Sequence, residues 1–406
     1  MAFSFKGVKV IQTASAAAGP MAGRMMADWG ADVIVVEHTV RKAQAQQRQS
    51  AGLGMFGQRT IASNINYIAM INNRNKRCVA VNLSLDSGRE IIYKLLKDAD
   101  VLLANFRPRE FAKFGLEYNT LSNLNPRLIV ANITGFGMKG PDRDNPGFGP
   151  VAGDSRSGFL HLLQAPGTEP AQMPMSFADY LTGLSLAFGI MAALYLREKT
   201  GVGQEVDASL FNTMAWAVST DIQGTLITKQ DRHAVSRRDR GTPLTNYYQS
   251  KDDRWVYLML TDLYWPNICK AMGQPQLEHD PRFDNPLLRA QNNLALFDII
   301  ETEMRKRTLD EWKKILNEAV MPWAPVQTLP EVINDPQARA NDFFLPFDHP
   351  TYGHMELMSG PVKLSKTPET MRLPAPESGQ HTDEVLKEYG YSDRDIARFR
   401  DEGAIL

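Results

Sequence analysis

Between residues 7 and 134, short apolar runs rich in β-branched residues alternate with longer stretches patterned for helices, and nothing else in the chain restricts its fold as strongly. GVKVI at 7–11 reads as a strand, the small and apolar residues of 19–29 suit a helix, and ADVIVVE at 31–37 is a second strand. The pattern recurs with RCVAVNL at 77–83 as strand, 87–97 as helix, 101–105 as strand and RLIVANIT at 127–134 as strand. Strand–helix–strand repeats at this spacing predict an α/β fold with a doubly wound parallel sheet.

The texture changes after GQEVDASLF at 203–211. A charge-rich passage over 228–240 leads to a strand at 255–260 and then to mostly helical patterns up to about residue 319. A chain of 406 residues exceeds one ordinary core. The expected division is a large domain beginning over 1–225, a smaller α+β domain over 226–324, and a linker with a return to the large domain over 325–406, starting at PVQTLPEV. Within the large domain the apolar run 181–196 is interrupted by Thr182, Gly183, Ser185 and Gly189. It falls short of the roughly 20 residues a bilayer needs and reads as a buried helix.

Composition excludes several classes. Lysine and arginine total 45 against 46 acidic residues, a formal charge of −1, so no basic surplus points to nucleic acid. Cys78 and Cys269 lack CxxC or Cys/His spacing, so neither a disulfide framework nor a metal site is expected. The start MAFSFKGVKVIQ has no cationic stretch followed by an apolar one. With no membrane segment foreseen, a cytoplasmic protein is the expectation.

The first loop invites a dinucleotide reading, with Glu37 at the end of the next strand placed for a ribose hydroxyl. The loop is SAAAGPMAG, however, and GxGxxG is absent. Pro20 falls in the first helical turn, where its missing N–H costs nothing. What survives is a helix N-terminus suited to a phosphate or carboxylate.

Here VIQTASAAAGPMAGRMMADWGADVIVVE at 10–37 resembles the opening of the family III CoA-transferases, the group of formyl-CoA, carnitine and bile-acid CoA-transferases. Further blocks resemble that family in order: NNRNKRCVAVNL at 72–83, ANFRPREFAKFGL at 104–116, NPRLIVANITGFGMKGP at 125–141, FADYLTG at 177–183, REKTGVGQEVDASL at 197–210 and PAPESGQHTDEVL at 374–386. The resemblance implies a Rossmann-like large domain formed by both chain ends and an interlocked dimer. The partner is a second copy or a related subunit in a heterodimer or heterotetramer. It also implies acyl-CoA and free carboxylic acids as substrates, with coenzyme A carried as acyl-CoA and no permanently bound cofactor.

Asp179 matches the family's catalytic aspartate. On the residues alone, Ser176 and Asp179 also fit a helix capping box, and a helix N-terminus favours an ionised carboxylate in either role. The resemblance implies attack by Asp179 on the donor thioester to give a mixed anhydride. Returning CoA thiolate converts this to an aspartyl-CoA thioester, and the acceptor acid then runs both steps in reverse. By the same resemblance the nucleotide contacts are Ala17, Ala18, His38, Val81, Ser84, Asn105, Phe106 and Lys113. The family often has arginine at 38 and lysine at 84, so Arg74, Lys76, Arg77, Arg107 or Lys139 is expected to compensate, unless these are solvated surface charges.

The segment NPGFGPVAGDSRSG at 145–158 departs from the family pattern at Gly149 and at Gly153-Asp154, in a stretch that normally helps line the acyl pocket. Phe148, counted with the binding residues, stands where the α-methylacyl-CoA racemases of this fold carry the histidine of GHD, which disfavours a two-base racemase. A noncatalytic partner subunit is the other alternative. Phe148, Phe159, Phe177 and Tyr180 allow an aryl or branched acid, such as an aryl-substituted succinate or a 2-hydroxy acid, with succinyl-CoA as one possible donor. TKQDRHAVSRRDRGTP at 228–243 holds only Gly241, so a glycine-rich lid is not expected there. Its Arg237, Arg238 and Arg240 are either a solvated cluster or a clamp for a second carboxylate.

Overall fold

Burial along the central strands leaves no solvent-facing side, which is the condition for a sheet covered on both faces. The computed structural model describes residues 3–39 and 65–406. Six strands, β1 (Lys9–Gln12), β2 (Asp32–Glu37), β3 (Arg77–Ala80), β4 (Val101–Ala104), β5 (Ile129–Thr134) and β6 (Glu205–Ser209), form one sheet in the order β3-β2-β1-β4-β5-β6. Every pairing in it is parallel. Along β4, Val101 and Leu103 pack into one layer while Leu102 and Ala104 pack into the other. The period-two division of side chains thus supplies two cores from one strand. The first layer is built by α1 (Ala18–Asp28) and the long helix Phe177–Thr200. The second is built by the helix Asp86–Lys97 and by two C-terminal helices, Thr382–Glu388 and Asp393–Asp401.

The C-terminal segment is tied to the sheet by backbone. His381 donates to the Cys78 carbonyl at 2.9 Å, Asn82 donates to the Ala404 carbonyl at 2.8 Å, and Val81 forms an antiparallel bridge with Ile405. Because β1 leads outward to β2 and β3 while the next strand, β4, lies on its other side, the connections diverge between β1 and β4. In doubly wound sheets ligands bind outside the carboxyl ends of the strands at this divergence.

Two features differ from the expectation. The strand β6 carries no apolar run in the sequence, because it lies at the sheet edge with exposed and half-exposed positions in alternation and reads EVDAS. The long helix is also not a buried one. Leu186, Ile190, Ala193 and Leu194 enter the core, whereas Phe188 and Tyr195 are 76% and 67% exposed. At 24 residues it is long and apolar enough to cross a membrane by length and composition alone, but its packed face belongs to the first layer.

The chain divides into two compact units: one of Met1–Leu160, Ala171–Gln230 and Ala340–Leu406, over its described residues, and one of His161–Pro170 and Asp231–Arg339. The second unit has its own core around Trp312, Phe283 and Ile300, all fully buried, and an antiparallel sheet of Thr245–Gln249, Trp255–Met259 and Trp323–Pro325. Since Ala324 and Pro325 pair with Tyr257 and Val256, the polypeptide is still in the second unit at residue 325. It re-enters the first unit at Ala340, later than the change of texture suggests.

Candidate active site

The first turn of the long helix carries Asp179, and glycines decide what approaches it. Ser176 holds the N-cap position in the left-handed region, φ 68°, with no side-chain capping bond, so Asp179 does not complete a capping box. A Cβ on Gly183 would stand 2.4 Å from the Ala18 carbonyl oxygen, so only glycine lets the helix lie against the start of α1. Asp179 lies one turn earlier on the same face of this helix. Opposite it runs a π-helical segment, Gly149–Ser155. A Cβ on Gly149 would lie 2.6 Å from Asp179 Oδ2, and one on Gly153 would lie 2.5 Å from Ala178 Cβ. The nucleophile candidate therefore presses directly on glycine backbone.

Asp179 is half-buried, and its pKa is pushed up to about 6. Burial is the larger cause, the negative charge of Asp154 the next, and the Asp179 backbone amide opposes both. The helix N-terminus thus does not hold this carboxylate at its usual range, because desolvation outweighs the dipole here. The result still suits a nucleophile, since the group is mostly ionised at neutral pH and more basic than an ordinary carboxylate. Formation of the acyl-enzyme is accordingly expected to fall with a single proton uptake near pH 6, measured as kcat/KM for the acyl-CoA across pH 4.5–8. A limb near pH 4 would show a well-solvated carboxylate instead.

The β1–β4 divergence lies at the same end of the sheet as the start of α1. There Asn105 accepts a hydrogen bond from the Ser15 amide at 3.2 Å and donates to the Ser15 carbonyl at 3.3 Å, pinning the first loop to the end of β4. Ala16 in this loop is held at φ 66°, a conformation that costs a non-glycine residue on the order of 1 kcal/mol and concentrates at binding sites. Ala17 and Ala18 follow, both buried. An α/β site of this layout accommodates a phosphate-bearing ligand at the helix N-terminus and reacting groups at Asp179.

A family model described as CoA-transferase family III matches residues 5–382. The chain belongs to the family III CoA-transferases. It is 33% identical over 405 residues to (R)-2-hydroxy-4-methylpentanoate CoA-transferase of Clostridioides difficile, covering 98% of this chain and 99% of the relative. It is 33% identical over 407 residues to cinnamoyl-CoA:phenyllactate CoA-transferase of Clostridium sporogenes, covering 99% and 97%. Among solved structures, a CAIB/BAIF family protein from Brucella suis matches with a TM-score of 0.81 at 26% identity, covering 96% of this chain and all of that one.

In this CoA-transferase the remaining sequence-derived binding residues divide. His38 is exposed just past β2, Lys113 is exposed on the helix Pro108–Phe114, and Ser84 is exposed beyond β3. Phe106 is half-buried, its backbone held by Asn132 through bonds of 3.1 and 3.0 Å and its ring set edge-on to Phe111. Val81 is a core residue, 2% exposed, whose amide donates to the Glu37 carbonyl, so its side chain is not available to a nucleotide. Phe148 is 45% exposed at the start of the π-helical segment.

Arg74 is a correction. It is 1% exposed, Asp28 accepts from its Nε and Nη2, and the Met358 carbonyl accepts from its Nη1, with Glu369 at 3.7 Å. A guanidinium so enclosed fastens the 353–358 strand to α1 and is not free for a phosphate. Lys76 is likewise buried, with Nζ bonded to Gln12 Oε1, the Pro20 and Asn72 carbonyls and Asn73 Oδ1, and burial lowers its pKa well below the usual lysine value. Arg77 is bound by Asp32 and Glu388, and Arg107 by Glu110, whereas Lys139 remains exposed. Glu37 accepts from the Ser378 hydroxyl at 2.7 Å, which engages the carboxylate that the dinucleotide reading needed. In the second unit Arg237 is taken by Glu301 at 2.8 Å and Arg238 by Asp298, so these two do not form an open clamp. The exposed trio His161, Asp231 and His233 is a polar cluster of the same unit, both imidazoles lying within 3.4 Å of the Asp231 carboxylate.

Two surface hollows, one lined by Leu85, Asp86, Ser87, Glu90, Arg398 and Glu402 and the other including Lys9, Asp32, Lys94 and Glu388, contain none of the site residues. In the sequence Asp154 stands out only as a departure from the family pattern. Its burial at 2% exposure near Asp179 becomes evident only when residues 149–155 are seen as a π-helix folded onto the long helix.

Proposed function

We propose that this enzyme moves CoA from an acyl-CoA donor to the carboxylate of a free 2-hydroxy acid, with Asp179 carrying the acyl group and then the CoA. The observation that carries the reading is the half-buried Asp179 carboxylate held against Gly149 at the start of the long helix. An ionised carboxylate attacks the thioester carbonyl, CoA leaves as thiolate, and an Asp179 acyl anhydride forms. The thiolate then attacks the aspartyl carbonyl, releases the donor acid and leaves an aspartyl-CoA thioester. The acceptor acid attacks that thioester, CoA returns to the acceptor acyl group, and Asp179 is regenerated. No external energy source enters, because one thioester is exchanged for another.

The 2-hydroxy acid class is supported by two relatives whose names give (R)-2-hydroxy-4-methylpentanoate and phenyllactate. Their branched and aryl side chains suit the apolar surface beside Asp179, where Phe159 and Phe177 stack with centroids 5.7 Å apart over the cluster of Ala152, Ala178, Leu210 and Met214. Succinyl-CoA is retained as a candidate donor and an aryl-substituted succinate as the second acceptor class. The exposed apolar face of the long helix supports a dimer, with a second copy or a related subunit.

The test combines a screen with a trap. Purified protein is given acyl-CoA donors and a panel of 2-hydroxy, unsubstituted and dicarboxylic acids, and turnover is followed by the new acyl-CoA. Hydroxylamine added during turnover is expected to mark Asp179 alone, read by peptide mass spectrometry. Turnover without a mark on Asp179 rejects the covalent route, and turnover confined to acids lacking a 2-hydroxyl rejects the acceptor class.

A further inference from the structure

Asp154 has a buried side-chain oxygen with no hydrogen-bond partner among the described residues. It is 2% exposed, and its Oδ1 makes no hydrogen bond. Buried acceptors in folded proteins are almost always paired, so an orphan of this kind calls for an explanation. The neighbouring polar groups do not supply one. Ser155 donates to the Pro150 carbonyl at 2.7 Å, and Ser157 Oγ accepts the Phe159 amide at 3.2 Å. Arg156, the cation nearest in sequence, is turned to Asp142 at 2.7 Å and lies over the rings of Phe136 and Phe211.

The same short segment touches the nucleophile. Gly149 lies on Asp179 Oδ2 and Gly153 on Ala178, so the backbone that holds Asp154 is fixed to the first turn of the long helix. The glycines leave no side chain of their own in this space. An acyl group bound to Asp179 places its second carbon one bond beyond the reacting carbonyl. A hydroxyl on that carbon is a donor seeking an acceptor within a few ångströms of the nucleophile.

We propose that Asp154 determines specificity by accepting the 2-hydroxyl of the bound acid or acyl group. This rests on the 2-hydroxy acid reading and adds the residue that enforces it. An acid without the hydroxyl leaves Oδ1 unpaired in a water-poor site, and an enclosed site built to bond a hydroxyl rejects the analogue that lacks it. A substrate with the hydroxyl also turns a positive dipole end toward a carboxyl group that otherwise faces the like charge of Asp179.

The experiment compares each 2-hydroxy acid with its 2-deoxy counterpart of the same skeleton, as acceptors from one acyl-CoA donor, in wild type, Asp154→Leu and Asp154→Asn. The wild type is expected to favour the 2-hydroxy acid in kcat/KM. Asp154→Leu is expected to reduce that ratio about tenfold to a hundredfold, mainly by raising KM for the 2-hydroxy acid, since any change at Asp179 from the lost charge acts on both substrates alike and cancels in the ratio. Asp154→Asn, which keeps an acceptor oxygen, is expected to retain part of the ratio. A structural role alone would lower both substrates together and leave the ratio unchanged, which overturns the assignment. A wild-type preference that survives in Asp154→Leu overturns it while leaving the acceptor class intact. A wild type indifferent to the hydroxyl overturns both. Thermal unfolding of the variants guards the comparison: removal of a lone buried carboxyl is expected to leave the midpoint at or above that of the wild type.

Discussion

Asparagine in place of Asp179 is expected to lower transfer by about 10⁴-fold or more while making the folded protein more stable at neutral pH. The loss follows because an amide neither attacks a thioester nor carries CoA. The gain follows from where the charge sits. The folded pKa is about 6, against 3.8 for an ordinary aspartate, so between these values the native state holds a proton that the unfolded chain has released. Wild-type stability therefore falls as pH rises through this window, and the full cost is present above it. Asparagine has no such cost, and its advantage grows from pH 4 to about pH 6 and then stays level. The ceiling is about 3 kcal/mol by linkage, reduced because Asp179 is only half-buried. Urea unfolding of both proteins at pH 4 and pH 7 measures it. Equal midpoints at pH 7 would mean that the carboxylate is satisfied in the fold and carries no stored cost.

Gly149→Ala is expected to reduce kcat about a hundredfold with little change in KM for the acyl-CoA or in thermal stability. The added Cβ would meet Asp179 Oδ2 at 2.6 Å. The carboxylate, at the end of a rotatable side chain, can yield, so the fold survives and the nucleophile is displaced by a fraction of an ångström to an ångström. Gly153→Ala provides the contrast. Its Cβ would meet Ala178 Cβ at 2.5 Å, an atom fixed to the helix backbone, so that variant is expected to lose stability as well as rate. Unchanged kcat in Gly149→Ala would show that the carboxylate turns elsewhere to react.

The sheet was legible because its inner strands are buried on both faces and so appear as unbroken apolar runs, as in VLLA of β4. β6 escaped because an edge strand keeps polar residues. Asp179 was found through the family likeness of its block, but the state of its charge was not. A first-turn acid predicts an ionised carboxylate, and only the packed structure brings Asp154 and the burial that reverse the shift. Arg74 shows the same limit. A cation in a loop after a helix suits a phosphate, yet Asp28 and Glu369, far away in sequence, enclose it. Asn105 was identified as a nucleotide contact, and its two bonds to Ser15 give it a role in shaping the first loop.

The way the C-terminal segment closes the sheet sets the order in which this protein can mature. Helices 382–388 and 393–401, with the bridge from Ile405 to Val81, supply part of one core layer whose other members lie before residue 131. A nascent chain must therefore present that apolar face uncovered until nearly all of the residues described here have left the ribosome. The second unit, continuous over most of its length, is under no such constraint. During synthesis the aggregation hazard of this layer thus lasts until helices 382–388 and 393–401 have emerged to cover it.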